Sequence, residues 1–339
     1  MGNAAAGFLI QQQLDQLTTD VNTELQNVPL SPQSPLSEFV WIRKNGGKVG
    51  ETTQFTLRLW ANPFEERNPY EELPGRKPLI GRFSVTHLER APDAEVVPRG
   101  TKVMDVYNIV KDDICPDMLS RLEITYANDI AKLIGTGTTT TTVFDNQPFF
   151  IDTLSHEAAP GKANSPKFAN WLKVNPLNEA GLLKGLNQLD IMPAADGNEM
   201  DAAGEILCIC STRDQYHRAL KFYRGEYVET AVGAAAATKY NSLKDVARPV
   251  YLKQMRKYYT NGAGTATGDG WCLVKIASDK HRPFGLSFTE EGEPQVFIEG
   301  ASINDHSRVT NNTQKVGCRG YWGAFYMWPQ FAVLSTETA

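Results

Sequence analysis

Two spacings of apolar residues alternate along this chain, one of about 3.6 and one of two, and they divide it into pieces. Residues 8–28 put Ile10, Leu14, Leu17, Val21 and Leu25 on a narrow apolar stripe in a background of Gln, Asp, Thr and Asn. That spacing predicts an amphipathic helix that needs a partner. The prolines of NVPLSPQSPLSEF (27–39) stop it and predict an extended linker, so the helix reads as an arm outside the first globular unit. From Gly46 to Gly100 the pattern changes to period two. TQFTLRLWA alternates Phe55, Leu57 and Leu59 with Thr56, Arg58 and Trp60, and GRFSVTHLE answers with Phe83 and Val85. Between them NPFEERNPYEELPGRKPLIG mixes prolines with both signs of charge, which predicts a long hairpin with a polar tip. Two strands alone are marginal in water, so the hairpin has to lie on another surface.

The helical period returns in KDDICPDMLSRLEITYANDIAKLIG (111–135), where Met118, Leu119, Leu122, Tyr126, Ile130 and Leu133 share a face. Asp112, Asp113 and Asp117 suit the N-terminal dipole, Pro116 suits a first turn and Gly135 reads as the stop. About 20 residues at roughly 1.5 Å each make a rod of about 30 Å. The Thr-rich GTGTTTTTVFDNQPFF (135–150) reads as strand or loop. A second helix is expected from Asn175-Pro176, with Leu182, Leu183, Leu186 and Leu189 on one side. GEILCICS (204–211) reads as a short buried strand, and Ser211 with Asp214 as a capping box for the helix after it. Helix, buried strand and helix together predict a small α/β layer in mid-chain. TNGAGTATGDGW (260–271) is a Gly-rich loop, followed by a strand from Trp271 to Ile276.

The run YWGAFYMWPQF (321–331) holds six aromatic residues in eleven. As a strand it puts Tyr321, Phe325 and Met327 on one face and Trp322, Tyr326 and Trp328 on the other. Neither face is polar, so both must be covered, within a large domain or between subunits.

At 339 residues the chain has material for roughly two domains. Its 41% hydrophobic and 22% charged content is that of an ordinary soluble globular protein. No apolar run approaches the roughly 20 residues of a membrane span, and MGNAAAGFLI has neither a basic flank nor a long apolar stretch, so the reading is a cytosolic product without a membrane partner. Five scattered cysteines without a C-x-x-C pair fit reduced thiols. A net charge of -5 without a basic block argues against tight or sequence-specific nucleic-acid binding.

Candidate chemistry is thin. Gly262, Gly264 and Gly268 have the wrong spacing for a dinucleotide fingerprint, and no Lys-Ser or Lys-Thr follows. HEAAP at His156 opens like a zinc-protease motif, but Pro160 replaces the second His and breaks the helix. Cys208 and Cys210, with His217 in the next helix, can be drawn as a metal site lacking a fourth ligand, or as small hydrophobes in an apolar strand. No G-x-S-x-G elbow is present. What remains is architectural: an arm and a hairpin whose ordering entropy burial in a monomer does not offset.

This order of elements resembles the Hong Kong ninety-seven fold of tailed-phage and herpesvirus shells. More closely, VFDNQPFFIDTLSH (143–156), RPFGLSFTEEGEPQVF and GCRGYWGAFYMWPQFAV (within 282–333) are similar to the major head subunit family of phage Mu and Mu-like prophages. The likeness covers roughly residues 103–335. It departs at Asp145-Asn146, where the family usually has Asp-Gly, and in the aromatic crowding of 321–331; Asn tolerates the left-handed conformation better than most residues.

The resemblance implies an α+β capsid fold: an N-terminal arm (1–45), an extended hairpin loop (46–102), a peripheral domain with a spine helix (103–174, helix 111–135), an axial domain (175–300) and a return strand of the peripheral domain (301–339). It implies a major capsid protein that assembles with copies of itself into pentamers and hexamers of an icosahedral shell around double-stranded DNA, built in the host bacterial cytoplasm. Portal, scaffold and decoration proteins are further partners; no cofactor, metal or reaction is implied. Assembly contacts then fall on Leu14, Leu17 and Val21 of the arm and on Phe64, Glu65, Arg67, Tyr70, Arg76 and Lys77 of the hairpin tip. Tyr321, Phe325 and Trp328 pack the return strand, one face lying on Leu119, Leu122, Tyr126 and Ile130 of the spine helix and the other toward the shell interior or a neighbour. The alternatives are a nanocompartment shell of the same fold, and a cytosolic enzyme with a dispersed Cys and His site and a deep polar pocket.

Overall fold

The computed structural model describes residues 34–44, 46–58, 80–97, 109–139, 143–160, 163–195, 197–200, 204–229, 238–258, 270–278, 281–289, 294–299 and 314–337. The predicted arm helix, the hairpin tip and most of the Gly-rich loop lie outside these residues. Among the described residues no helix is long and apolar enough to cross a membrane.

The described chain begins with a one-turn helix α1 (Leu36–Phe39) and strand β1 (Val40–Arg43), followed by β2 (Thr52–Arg58), β3 (Ile80–Thr86), β4 (Leu88–Arg90) and β5 (Glu95–Val97). A π-helical turn, Ile109–Ile114, leads into the long α2 (Cys115–Thr136). Three short strands, β6 (His156–Glu157), β7 (Lys167–Phe168) and β8 (Trp171–Leu172), precede α3 (Glu179–Asp190), β9 (Glu205–Cys210) and α4 (Arg213–Arg224). Then come β10 (Tyr227–Glu229), β11 (Thr238–Tyr240), β12 (Ala247–Tyr251), α5 (Met255–Tyr258), β13 (Gly270–Ile276), β14 (Phe284–Phe288), β15 (Gln295–Glu299), β16 (Gln314–Tyr326) and β17 (Ala332–Thr336).

Two sheets carry the molecule. The first has the order β1-β14-β16-β15, with β4 and β5 also paired to β16, and the second runs β12-β9-β13-β17-β8. Strand β9 shows how the second sheet is built. Its Leu207 and Ile209 enter the core that contains α2, whereas Cys208 and Cys210 enter the core with Leu182, Leu186 and Leu189 of α3. A strand buried on both faces has no use for polar alternation, which is why EILCIC reads as a continuous apolar run. Strand β12 lies parallel to β9, as a crossover through α4 requires.

Local signals place most helix ends to within a few residues. Pro116 occupies the first turn of α2 as expected. The stop does not fall at Gly135, which is buried inside the helix; the chain leaves at Gly137, where φ is -63°. Gly137 is needed for room, since an added Cβ would lie 2.6 Å from the Phe150 ring. Helix α3 starts at Glu179, because the Asn178 side chain accepts from the Gly181 N–H and caps it there. Leu183 is 38% exposed and stands off the buried face of that helix. The capping box of α4 sits one residue later than expected: Thr212 accepts from the Gln215 N–H, and the Gln215 side chain accepts from the Thr212 N–H.

The prolines before residue 39 do not extend the linker through to β1. Leu36–Phe39 forms a helical turn whose Leu36 and Phe39 are fully buried, and Val40–Arg43 pairs in parallel with β14. The strands also sort differently from a division at residue 300. Strands β14 and β15 join β16 in the first sheet, while β17 crosses into the second sheet beside β13 and β8. Pro329–Phe331 forms a single 3-10 turn that makes this crossing, so the aromatic run is a strand only to Tyr326.

The hairpin of β2 and β3 has the register Phe55↔Phe83, and its base lies across β16. Gly323 makes that approach possible, because a Cβ there would meet the Thr86 carbonyl oxygen at 2.2 Å and Val85 Cγ2 at 2.6 Å. Backbone cannot yield as a flexible side chain can. Gly323→Ala is therefore expected to destabilise the fold by about 1–3 kcal/mol. Denaturant unfolding checks this, and an unchanged midpoint would show that the hairpin base has slack.

Candidate assembly site

The site is the junction at which the first sheet, α2, the hairpin base and the segment 34–43 meet, and β16 organises it. On one face of β16, Trp322 and Tyr326 point toward α2. The Trp322 and Tyr126 rings meet edge to face at 4.9 Å, and Tyr326 stacks on Phe149 at 4.7 Å. Polar atoms on these rings are satisfied by the helix itself: Trp322 Nε1 donates to Asp129 Oδ2 at 3.0 Å, and the Tyr326 hydroxyl donates to the Leu133 carbonyl at 2.8 Å. Arg90 of β4 reaches the other oxygen of Asp129 at 3.4 Å. One carboxylate thus ties helix, strand β16 and the return leg of the hairpin together.

The other face of β16 carries Phe325. Its ring lies over Gly285, where an added Cβ would be 2.3 Å away, and meets Phe55 at 5.1 Å and Trp41 at 6.2 Å. Phe83 stacks on Phe55 at 5.7 Å and contacts Trp328 at 5.2 Å and Phe144 at 5.8 Å. This face, expected toward a shell interior or a neighbour, is covered instead by the chain's own hairpin base and Trp41. Of the packing residues named from sequence, Leu122, Tyr126 and Ile130 enter the α2 core and Leu119 packs at its edge. Phe325 and Trp328 belong to the hairpin side, and Tyr321 pairs with Glu89 of β4. Trp322 and Tyr326, opposite in phase, are the residues that meet the helix. The arm residues Leu14, Leu17 and Val21 and the tip residues Phe64, Glu65, Arg67, Tyr70, Arg76 and Lys77 lie outside the described residues.

Two arginines hold the segment 34–43 on this junction. Arg248 of β12 forms a forked pair with Glu38, at 3.2 and 2.7 Å, and reaches Glu205 at 2.5 Å. The hydrogen bonds it donates to Glu38 and then to Glu205 raise its pKa. Arg282 donates to the carbonyls of Ser37 and Val40 at 3.0 and 2.7 Å. Neither tie to this segment could be found from sequence, because Glu38, Ser37 and Val40 lie more than 200 residues from the arginines that hold them. Arg43 lies 4.3 Å over the Phe55 ring, and burial lowers its pKa.

The loop after α2 is set by Asp145. Its Oδ1 accepts from the Gln147 N–H, and its Oδ2 lies 2.7 Å from His156 Nδ1 and accepts from the Glu157 N–H. Asn146 has φ 58°, the left-handed conformation that Asn carries in place of Gly. His156, whose sequence context suggested a zinc motif, is fully buried, stacked on Phe168 and beside the Phe149 carbonyl. Cys208 and Cys210 have their sulfurs 3.9 Å apart. The hydrogen bond with Cys208, followed by burial, raises the Cys210 thiol well above its ordinary range. Burial first, and then the charge of Cys208, does the same to Cys272, and burial alone pushes Cys318 up to about 11. Among the described residues no group of three or more His, Cys, Asp or Glu could hold a metal ion.

No protein-family model matches the chain, and no curated protein sequence does. Solved structures do. The capsid structure of the cyanophage P-SCSP1u aligns over 89% of this chain and 88% of its own, with a TM-score of 0.51 and 11% identity. The capsid of the native GTA particle aligns over 91% and 92%, with a TM-score of 0.47 and 8% identity. The capsid of cyanophage Pam1 also aligns over 91% and 92%, with a TM-score of 0.46 and 12% identity. The first of these shows the fold: a mixed α+β chain that matches a phage capsid structure.

Asp129→Ala is expected to destabilise the protein by about 1–3 kcal/mol, because it strands the buried Trp322 N–H, whereas Asp129→Asn retains an acceptor and loses less. Chemical denaturation of the two variants checks the order. In the same assay Asn146→Ala should cost about 1–2 kcal/mol and Asn146→Gly should not, since only the side chain beyond Gly resists positive φ.

Proposed function

We propose that this chain is the major capsid protein of a tailed bacteriophage, assembling with copies of itself into an icosahedral shell that encloses double-stranded DNA. The observation that carries this reading is the alignment of 89% of the chain with the P-SCSP1u capsid structure. A shell subunit acts by shape and by contacts with its copies, so no reaction or cofactor enters. Residues 46–102 are the extended loop that reaches a neighbouring subunit, α2 is the spine of the peripheral region, and the sheet containing β9 and β13 belongs to the axial region. Of the arm 1–45, Leu36–Arg43 is built into the junction. The segments 143–156 and 282–333 favour the Mu-type head subunits among tailed-phage families. Pentamers and hexamers form the shell in the host cytoplasm, with portal and scaffold proteins as further partners. The net charge of -5 suits a container that holds DNA without gripping it.

Expression of the full chain followed by electron microscopy tests the reading. Closed shells or capsomers are expected, and a discrete monomer or dimer at high concentration would overturn it. Replacing residues 62–78 by a short Gly-containing turn should leave the junction intact and the subunit folded while abolishing closed shells. Shells of normal size from that variant would show that the loop is no clamp.

A further inference from the structure

The hairpin of β2 and β3 joins the body through two short pieces of backbone that meet at one histidine. The outgoing leg is Gly46-Gly47-Lys48-Val49-Gly50, with φ of 144° at Gly47 and 77° at Gly50. These angles are easy only for glycine, and such a leg bends readily. On the return leg His87 is the single residue between β3 and β4 that belongs to no strand. The legs are stitched there: the Gly50 N–H donates to the His87 carbonyl at 3.0 Å, and the His87 N–H donates to the Glu51 carbonyl at 3.4 Å.

The His87 side chain is fully buried between this crossing and the first sheet. Its Nε2 lies 3.0 Å from Ser287 Oγ on β14, while Nδ1 has no hydrogen-bond partner. Gly46 packs against the same pair, with no room for a Cβ, which would be 1.9 Å from Ser287 Oγ and 2.9 Å from His87 Nε2. Among the described residues the charged group acting on the ring is Arg43, at the end of β1; Ser287 on β14 is neutral, and Glu51 presents its carbonyl while its side chain is exposed. Among the described residues no carboxylate acts on this ring. A second proton would place a cation in a dry site beside another cation, with only the Glu51 backbone carbonyl, among the described residues, acting in its favour.

We propose that His87 is a proton-sensitive latch on the hairpin hinge: neutral, it seals the crossing against Ser287, and protonated, it loosens the crossing of the two legs. Burial first, and the Arg43 charge as well, hold the His87 pKa below the ordinary 6.5, with the Glu51 carbonyl opposing them. A base with a depressed folded pKa lends its stability above the unfolded value and loses it as pH falls below that value. The latch is therefore closed above pH 6.5 and weakens below it.

Hydrogen exchange of the full-length protein between pH 7.5 and 5, corrected for intrinsic exchange rates, tests this. Peptides covering 46–58 and 80–90 should show an opening constant that rises below pH 6.5 by up to about tenfold per pH unit, the limit for one proton. Peptides from α2 should not follow. In His87→Gln, which keeps a hydrogen-bonding group for Ser287 but does not titrate, the hairpin peptides should be flat with pH. A flat wild type, an equal slope in α2, or the same slope retained in His87→Gln would each overturn the latch. His87→Asn supplies the comparison if the Gln variant does not fold, and the wild-type contrast between hairpin and α2 decides by itself whether the slope is local.

Discussion

Strand β16 carries large rings on both faces, and a strand so built cannot stand at a surface. Burying a face of Trp322 and Tyr326 removes apolar area on the order of 150–250 Å² per ring from water. The long helix α2 is amphipathic along its length and covers that face, exchanging Tyr126, Ile130 and Ile134 for the rings of the strand. The opposite face carries Phe325. Gly285 and Gly323 leave a floor on which a ring and a backbone can lie directly. The hairpin base occupies it, and the hairpin acquires its own stability there, which two isolated strands lack.

Covering β16 in this way creates a polar obligation at its margins. Trp322 N–H, the Arg90 guanidinium and the ends of the 34–43 segment all enter partly dry space, and each is met by a group from a distant part of the chain. Asp129 serves the first two, and Arg248 and Arg282 serve the last. These bonds are charge-assisted, with the donor or acceptor ionised, and so are stronger than their neutral counterparts. They also set direction: Arg248 belongs to the second sheet and Glu38 to the helical turn that leads into β1 at the edge of the first, so their pair ties the two sheets together. The body from which the hairpin springs thereby sets the direction of its base.

The same junction makes the loop conditional. Its aromatic base is firmly packed, yet the chain that carries it passes through a glycine-rich leg and a buried histidine with a nitrogen left over. A protein with a permanently fixed hairpin would be served by an apolar residue at position 87. A titratable ring there costs desolvation whenever it is charged, so the strength of the hinge depends on the solution.

The long helix, the β2–β3 pairing, the buried strand β9 and the α3 and α4 helices were legible in the sequence because each follows from local physics: a periodicity, a proline in a first turn, a capping side chain within four residues. The two-faced aromatic strand was legible for the same reason, since alternation alone shows that neither face can be wet. Small slips at the caps have local causes too, as at Thr212, where Gln215 completes a better reciprocal bond than Asp214 would with Ser211. What covers the second face of β16 could not be read, nor that Leu36–Arg43 is core and not linker, nor that the chain changes sheet at Pro329. Those outcomes depend on pairs such as Arg248 with Glu38 and Phe325 with Phe55, whose separations of 210 and 270 residues carry no periodic signature. Only the closed tertiary structure brings them within reach, because their energy exists only once both sheets are already in place.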